Sequence, residues 1–131
     1  MKIGITASAF DLLHAGHILM LKEAKSVCDY LIVALQVDPT FDRPEKNKPI
    51  QSFYERWTQL SAVKYVDEII PYESEKELMT ILQNSNIDIR ILGDEYRNKV
   101  FTGCNLEMDY HFNKRTHKYS STELRKRLGG I

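Results

Sequence analysis

The sequence predicts an α/β fold, a single Rossmann-like, doubly wound parallel sheet of about five strands with helices on both faces. Two observations predict it. Short apolar segments alternate with amphipathic ones from end to end. One of those segments, DYLIVALQV, is too continuously apolar to leave a face in water, so it belongs inside a sheet covered on both sides. Element by element, KIGITA reads as the opening strand. From Gly16, the spacing of Ile18, Leu21, Ala24, Lys25 and Cys28 is helical, and Leu19 and Met20 widen the apolar face. DYLIVALQV is the second strand. PTFDRPEKNKPIQ, rich in Pro, Lys and Asp, reads as a loop long enough to have a functional role. SFYERWTQLSAVKY returns to helical spacing through Phe53, Trp57, Leu60 and Val63 or Lys64. EIIPY is a short strand. SEKELMTILQNS is a helix opened by a Ser74 and Glu77 capping box, and IDIRILGD is a strand ending at a turn. NLEMDYHF supplies the last strand and STELRKRL the last helix.

At 131 residues the chain is about one domain, spanning residues 1–131, large enough to bury roughly two-thirds of its unfolded surface. It shows no repeat, low-complexity tract or linker. Eighteen basic residues balance eighteen acidic ones, so bulk charge favours neither a nucleic-acid nor an anionic-membrane partner. Any anion site must be local. Cys28 and Cys104 stand apart, outside any CxxC or His/Cys cluster, which argues against a disulfide framework or structural zinc and suits a reducing cytosol. With no basic-then-apolar leader and no apolar run near the roughly 18 residues that span a bilayer, the expectation is a soluble cytoplasmic protein.

In such sheets ligands sit beyond the carboxyl ends of the strands, near the point where strand order reverses. The turns to inspect are ASAFDLLHAGH, QVDPTFDRPEKNK, GDEYRNK and NKRTHKYSST, each more polar or basic than a plain connector requires. The first delivers the chain into a helix N-terminus, where free N–H groups and the macrodipole favour an anion. His14 and His17 add side-chain donors there, and Gly16 lets backbone come close. An imidazole donates while neutral and more strongly when protonated, and a polyphosphate could hold it charged. Three readings of the pair stay open: metal ligation, for which no third and fourth partners are obvious; two unrelated packed or surface histidines; and phosphate binding. The matching C-terminal element, RTHKYSSTELRKRL, favours the third. Ser120 and Glu123 form a capping box there, Ser121 and Thr122 offer hydroxyls and N–H groups, and Arg115 and Lys118 lie just upstream. Arg125, Lys126 and Arg127 read as a solvated helix face.

AFDLLHAGH resembles the (G)xFDxxHxGH motif, and RTHKYSST the RTxGxSST motif, of the HxGH nucleotidylyltransferases. Within that superfamily the chain is similar to the small cytidylyltransferases that make CDP-glycerol from CTP and glycerol 3-phosphate, a likeness that runs on through YERW, KYVDEIIPY, NIDIRILGDEY and SST. Relatives use choline phosphate, ethanolamine phosphate and other phosphorylated alcohols. The resemblance implies that His14 and His17 contact the triphosphate near its α-phosphate, with Ala9, Phe10, Asp11 and Gly16 beside them and Ser120, Ser121 and Thr122 on the β and γ phosphates. Arg115 would belong to the catalytic set. Lys46 and Lys48 resemble mobile lysines that close over phosphates and acceptor. Arg56 matches an arginine implicated in activity through the acceptor phosphate or a subunit contact, and Lys64, before YVDE, and Asp38 would serve the acceptor. Asp94 matches an acidic residue that accepts a hydrogen bond from the cytosine amino group. Magnesium would arrive on the nucleotide phosphates, with no protein metal site, and KYVDEII resembles a homodimer contact. Two departures stand out. Ser8 and Ala9 replace the Gly and Thr of GTFD, and His117, Lys118 and Tyr119 replace the Glu, Gly and Ile of RTEGIS.

A phosphate monoester is already an anionic nucleophile at neutral pH, so attack on an α-phosphorus needs no protein base. It needs positioning and neutralisation of charge on the equatorial oxygens and the departing pyrophosphate.

Overall fold

A computed structural model of the chain describes residues 1–129. Five parallel strands, β1 (Ile3–Ser8), β2 (Tyr30–Gln36), β3 (Glu68–Tyr72), β4 (Ile89–Gly93) and β5 (Asp109–Asn113), form one sheet in the order β3-β2-β1-β4-β5. The helices are α1 (Ala15–Ser26), α2 (Phe53–Ser61), α3 (Glu75–Asn84) and α4 (Ser121–Arg127). The chain moves outward from β1 through β2 to β3, then returns past both to β4. Strand order therefore reverses between β1 and β4, and the crevice this opens lies above the carboxyl ends of those two strands.

The continuous apolar run of β2 is explained by two cores. Leu31, Val33 and Leu35 face one side with Leu21 and Ala24 of α1 and Leu60 of α2. Ile32 and Ala34 face the other with Ile5, Tyr72 and Leu78 and Leu82 of α3. All five β2 side chains are buried, the most exposed being Ile32 at 4 %. Fully burying each of the four larger ones is worth about 1.5–3 kcal/mol before the ordering cost.

Three elements differ in extent from the sequence expectation. The second helix stops at Ser61 rather than running to Tyr65, because the Ala62 N–H turns back to the Gln59 carbonyl and the Val63 N–H to that of Leu60, and the chain must reverse into β3. Val63 still packs against the core, but from a turn. The last strand begins at Asp109, since Leu106 and Met108 are drawn onto the second core from an irregular loop. The Ser74 cap is one-sided: its hydroxyl accepts from the Glu77 N–H, while Glu77 accepts from the Glu73 N–H instead of closing the box. Within the long loop after β2, Pro39–Phe41 form one 3₁₀ turn capped by the Asp38 carboxylate.

Candidate active site

A cavity of 1070 Å³ opens above the carboxyl ends of β1, β2 and β4. Its floor begins where β1 ends. After Ser8 the chain makes a tight turn in which Phe10 (φ 49°) and Leu12 (φ 53°) take the left-handed conformation that non-glycine residues avoid. Ser8 and Ala9, which stand where relatives carry Gly and Thr, keep ordinary backbone angles and line the cavity. The turn closes with side chains there.

That turn is held by three polar side chains. The Asp11 carboxylate accepts from the Ile50 N–H at 2.8 Å and the Gln51 N–H at 2.9 Å. Gln51 in return accepts from the Leu12 N–H at 2.8 Å. Arg56, only 2 % exposed, reaches up from α2 and donates to the carbonyls of Ala9 (3.0 Å), Gln36 (2.6 Å), Val37 (2.6 Å) and Gln51 (3.3 Å). Its guanidinium thus ties the ends of β1 and β2 to α2.

The turn leads into α1, and here the two histidines make a reciprocal cap. His14 Nδ1 accepts from the Gly16 N–H at 3.0 Å, and His17 Nδ1 accepts from the His14 N–H at 3.2 Å. Their rings stack with centroids 3.9 Å apart, and the buried Phe10 ring backs His17 at 5.4 Å. A ring nitrogen that accepts carries no proton, so each neutral ring holds its proton on Nε2. Both rings line the cavity, and Nε2–H is the donor each has left to offer it. Gly16 is required by a close approach: a Cβ there would lie 2.8 Å from His14 Cε1 and 2.8 Å from the Tyr119 carbonyl oxygen.

Burial lowers the His14 pKa, assisted by the His117 and Arg115 charges. Burial and then the His14 charge lower that of His17 to about 4, against a weak opposing pull from Asp11. Protonating either Nδ1 would also break the cap. At neutral pH both rings are therefore neutral donors, one of the two donor states open to an imidazole at this position. A stability prediction follows from the sign. The unfolded chain binds a proton near the ordinary histidine value of 6.5 and the folded chain only near about 4, so stability is full above pH 6.5 and falls toward pH 4. Urea unfolding at pH 7 and pH 5 should differ by about 2 kcal/mol through His17 alone. The difference should shrink in His17→Asn; an equal difference in that variant would take His17 out of the effect.

Facing the α1 terminus is the loop before α4. Arg115 lines the cavity and donates to the Tyr119 carbonyl at 3.0 Å. His117 Nδ1 accepts from the Tyr119 N–H at 3.1 Å, its ring stacked on Tyr119. Lys118, in the place of the motif's glycine, needs no positive φ. Ser120 caps α4 by accepting from the Glu123 N–H at 3.0 Å, and Ser121 reaches the Asp11 carbonyl at 3.5 Å. Because α4 runs for seven residues, what this side offers the cavity is side-chain hydroxyls, Arg115 and His117 more than a macrodipole. After β4, Asp94 lines the cavity while accepting from Arg97 at 3.0 Å.

The predicted site residues divide cleanly. His14, His17, Lys46, Arg115, Ala9, Gly16, Asp94, Ser120 and Ser121 are brought to one cavity. The others lie off its wall. Phe10 is core, at 1 % exposure. Asp11 and Arg56 are committed to backbone groups as described, so Arg56 is neither an open acceptor-binding charge nor a solvent-facing one. Thr122 is exposed on α4. Asp38 is committed to Thr40, accepting from its N–H at 2.9 Å and its hydroxyl at 2.6 Å. Lys48 is exposed in the loop, and Lys64 is exposed with its ammonium over the Tyr65 ring at 5.3 Å. Sequence reasoning missed Gln36, Arg43 and Arg90, which do line the cavity. A signal existed for two of them: a polar residue ending an apolar strand, and an arginine inside IDIRIL. Among the described residues no three His, Cys, Asp or Glu side chains group to hold a metal ion, and no helix is long and apolar enough to cross a membrane.

A doubly wound sheet whose switch-point crevice is walled by paired imidazoles, an arginine and serine hydroxyls presents a set of donors that suits an anionic ligand. Comparison narrows the class: residues 5–127 match the model of the Cytidylyltransferase-like family, and the chain belongs to that family. It is 34 % identical over 131 residues, the whole of both chains, to a glycerol-3-phosphate cytidylyltransferase of Bacillus subtilis. An FAD synthase of Thermococcus sibiricus is 40 % identical over 91 residues, 70 % of this chain and 62 % of that one. Among solved structures, a lipopolysaccharide core biosynthesis protein of Thermoplasma volcanium superposes with a TM-score of 0.63 at 26 % identity, covering 98 % of this chain and 86 % of the other.

Proposed function

We propose that the protein transfers cytidylyl from CTP to glycerol 3-phosphate. The acceptor's phosphate oxygen forms a bond to the α-phosphorus, the bond from that phosphorus to the β-phosphate bridge breaks, and CDP-glycerol and pyrophosphate leave. The observation that carries this reading is the reciprocal histidine cap, which presents two neutral Nε2 donors to the same cavity as Arg115, Ser120 and Ser121. The full-length likeness to the Bacillus subtilis relative supports the choice of nucleotide and acceptor.

No base is required, since the attacking phosphate is already an anion. His14 and His17 hold the equatorial oxygens as charge builds, and donors fixed in place before reaction cost no reorganisation. Arg115, Ser120, Ser121 and Lys46 take the β and γ phosphates. Asp94 accepts from the N4 amino group of cytosine and opposes the O4 of uracil, acceptor against acceptor. The cradle's donor set is cationic or N–H, and the Asp11 carboxylate is spent on backbone amides, so magnesium fits as an ion carried by the nucleotide. When bound, it supplies charge neutralisation on the phosphates. The protein acts in the cytoplasm as a homodimer in this reading; KYVDEII leads into β3, an edge strand of the sheet.

Pyrophosphate release with magnesium, each of the four nucleoside triphosphates and a panel of phosphorylated alcohols tests the reading. The expected productive pair is CTP with glycerol 3-phosphate. The FAD synthase relative favours a second reading, another nucleotide or acceptor on the same cradle, and a different productive pair would establish it. No release from any pair, alongside measurable CTP binding, would leave a nucleotide-binding module and overturn the enzyme reading.

A further inference from the structure

The cavity does not end at the phosphate cradle. It continues over the α3 face of the sheet, the face on which Ile32, Ala34 and Tyr72 meet Leu78 and Leu82. Gln36 ends β2 on this face, two residues beyond Ala34. Arg90 also points here, because its neighbours Ile89 and Ile91 belong to the opposite core. Glu75 at the start of α3, Arg43 in the long loop and Thr102 complete the wall.

Gln36 and Arg90 are 3 % and 4 % exposed. Side chains buried that deeply normally have every polar atom partnered. Here Gln36 Nε2, Arg43 Nε and Arg90 Nε are buried without a hydrogen-bond partner among the described residues. Both oxygens of the Glu75 carboxylate, by contrast, have a partner. Glu75 accepts from Arg43 Nη2 at 3.0 Å and from the Thr102 hydroxyl at 3.0 Å, and Arg90 Nη1 donates to the Thr102 carbonyl. Gly103 makes room for that arginine: at φ 86° it carries no side chain, and a Cβ would lie 3.0 Å from Arg90 Nη1 and 2.7 Å from Leu82. The unpartnered buried atoms on the α3 side are therefore all donors, with Arg43 and Arg90 beside one carboxylate, Glu75; the remaining unpartnered atom, the acceptor Asn113 Oδ1, lies at the end of β5 on the α1 side, as His111 does.

We propose that this α3-side pocket holds the alcohol end of the phosphorylated acceptor and selects one that is rich in oxygen and free of positive charge. The proposal rests on the transferase reading above and adds what reads the acceptor. Hydroxyl oxygens accept from the N–H groups of Gln36, Arg43 and Arg90 once the side chains rotate slightly to meet them. An ammonium head brings only donors and a charge of the same sign as the two arginines, leaving the wall unpaired and repelled.

Calorimetry on the full chain saturated with α,β-methylene CTP tests this with two phosphate monoesters of similar size, glycerol 3-phosphate and phosphoethanolamine. The wild type should bind glycerol 3-phosphate at least about tenfold more tightly. Gln36→Leu should bring that ratio below about threefold while leaving affinity for the CTP analogue unchanged. Gln36→Glu, which puts an acceptor where a donor was, should shift the ratio toward phosphoethanolamine. Arg43→Met, on a partly exposed loop side chain, serves if neither Gln36 variant folds. Equal or tighter binding of phosphoethanolamine by the wild type, no binding of either ester, or an unchanged ratio in the folded variants would overturn the proposal. Failure of pyrophosphate release with every substrate pair would instead overturn the transferase reading; the calorimetric ratio decides the pocket independently.

Discussion

Turnover of His17→Ala is expected to fall at least about 100-fold, the scale on which a single preorganised donor to a developing oxyanion acts. The structure makes His17 a demanding residue to replace, because one ring does two things. Its Nδ1 accepts from the His14 N–H and so fixes the start of α1, while its Nε2–H is the donor left for the cavity. Alanine removes both. Asparagine separates them: its carbonyl oxygen can take over the cap, while its NH2 group ends one atom short of the imidazole Nε2 position and does not reach the phosphate. His17→Asn should therefore unfold in urea at pH 7 close to the wild-type midpoint and still lose most of its turnover, with KM for CTP changing less than kcat. Near-normal turnover in either folded variant would remove His17 from the chemistry. The same prediction separates a neutral donor from a proton carrier. A ring that stays a neutral donor beside the triphosphate leaves kcat flat between pH 6.5 and 8, whereas a His17-dependent limb in that range would mark a ring that changes protonation there.

The cradle was legible in the sequence because its parts are local. A capping position, a helix start and a short motif all lie within a few residues of one another, and both histidines could be placed at a helix N-terminus from AFDLLHAGH alone. The strand order was not needed to see them. What the motif could not show is how the two rings divide their nitrogens, since that depends on backbone N–H directions inside the turn. The bonding of Arg56 and Asp11 was out of reach for the opposite reason. Both are charged and near the site in sequence, but their partners are backbone groups about 40 residues away, Ala9 for Arg56 and Ile50 and Gln51 for Asp11. Spacing along a helix cannot reveal a bond that the tertiary fold creates. Gln36 and Arg90 were visible as polar residues in strands that are otherwise apolar, yet their convergence on one pocket needed β2 and β4 to be placed on either side of β1.

The second large effect is expected at Arg56, and it is structural in origin. Arg56→Met should destabilise the fold by about 3–5 kcal/mol, since each buried carbonyl left without its donor costs about 1–3 kcal/mol and the turn relaxes to recover part of that. Methionine fills the space but leaves four carbonyl oxygens without their donor, three of them at the ends of β1 and β2 or just beyond. Asp11 and Asp38, whose charges both act on Arg56, would also lose their buried counter-charge. Loss of the Ala9 contact loosens the turn that aims His14 and His17, so turnover should fall even at temperatures where the variant stays folded. Lysine keeps the charge but offers a compact ammonium in place of a planar fork, so Arg56→Lys should lie between the two. Urea unfolding gives the first readout, and kcat measured well below the unfolding temperature gives the second. An Arg56→Met chain as stable as the wild type would refute the clamp. If stability falls while kcat of the folded fraction holds, the clamp supports the fold but does not set the geometry of the cradle. A catalytic role for the guanidinium would show differently: kcat would collapse in Arg56→Lys as fully as in Arg56→Met, with the lysine variant retaining most of its stability.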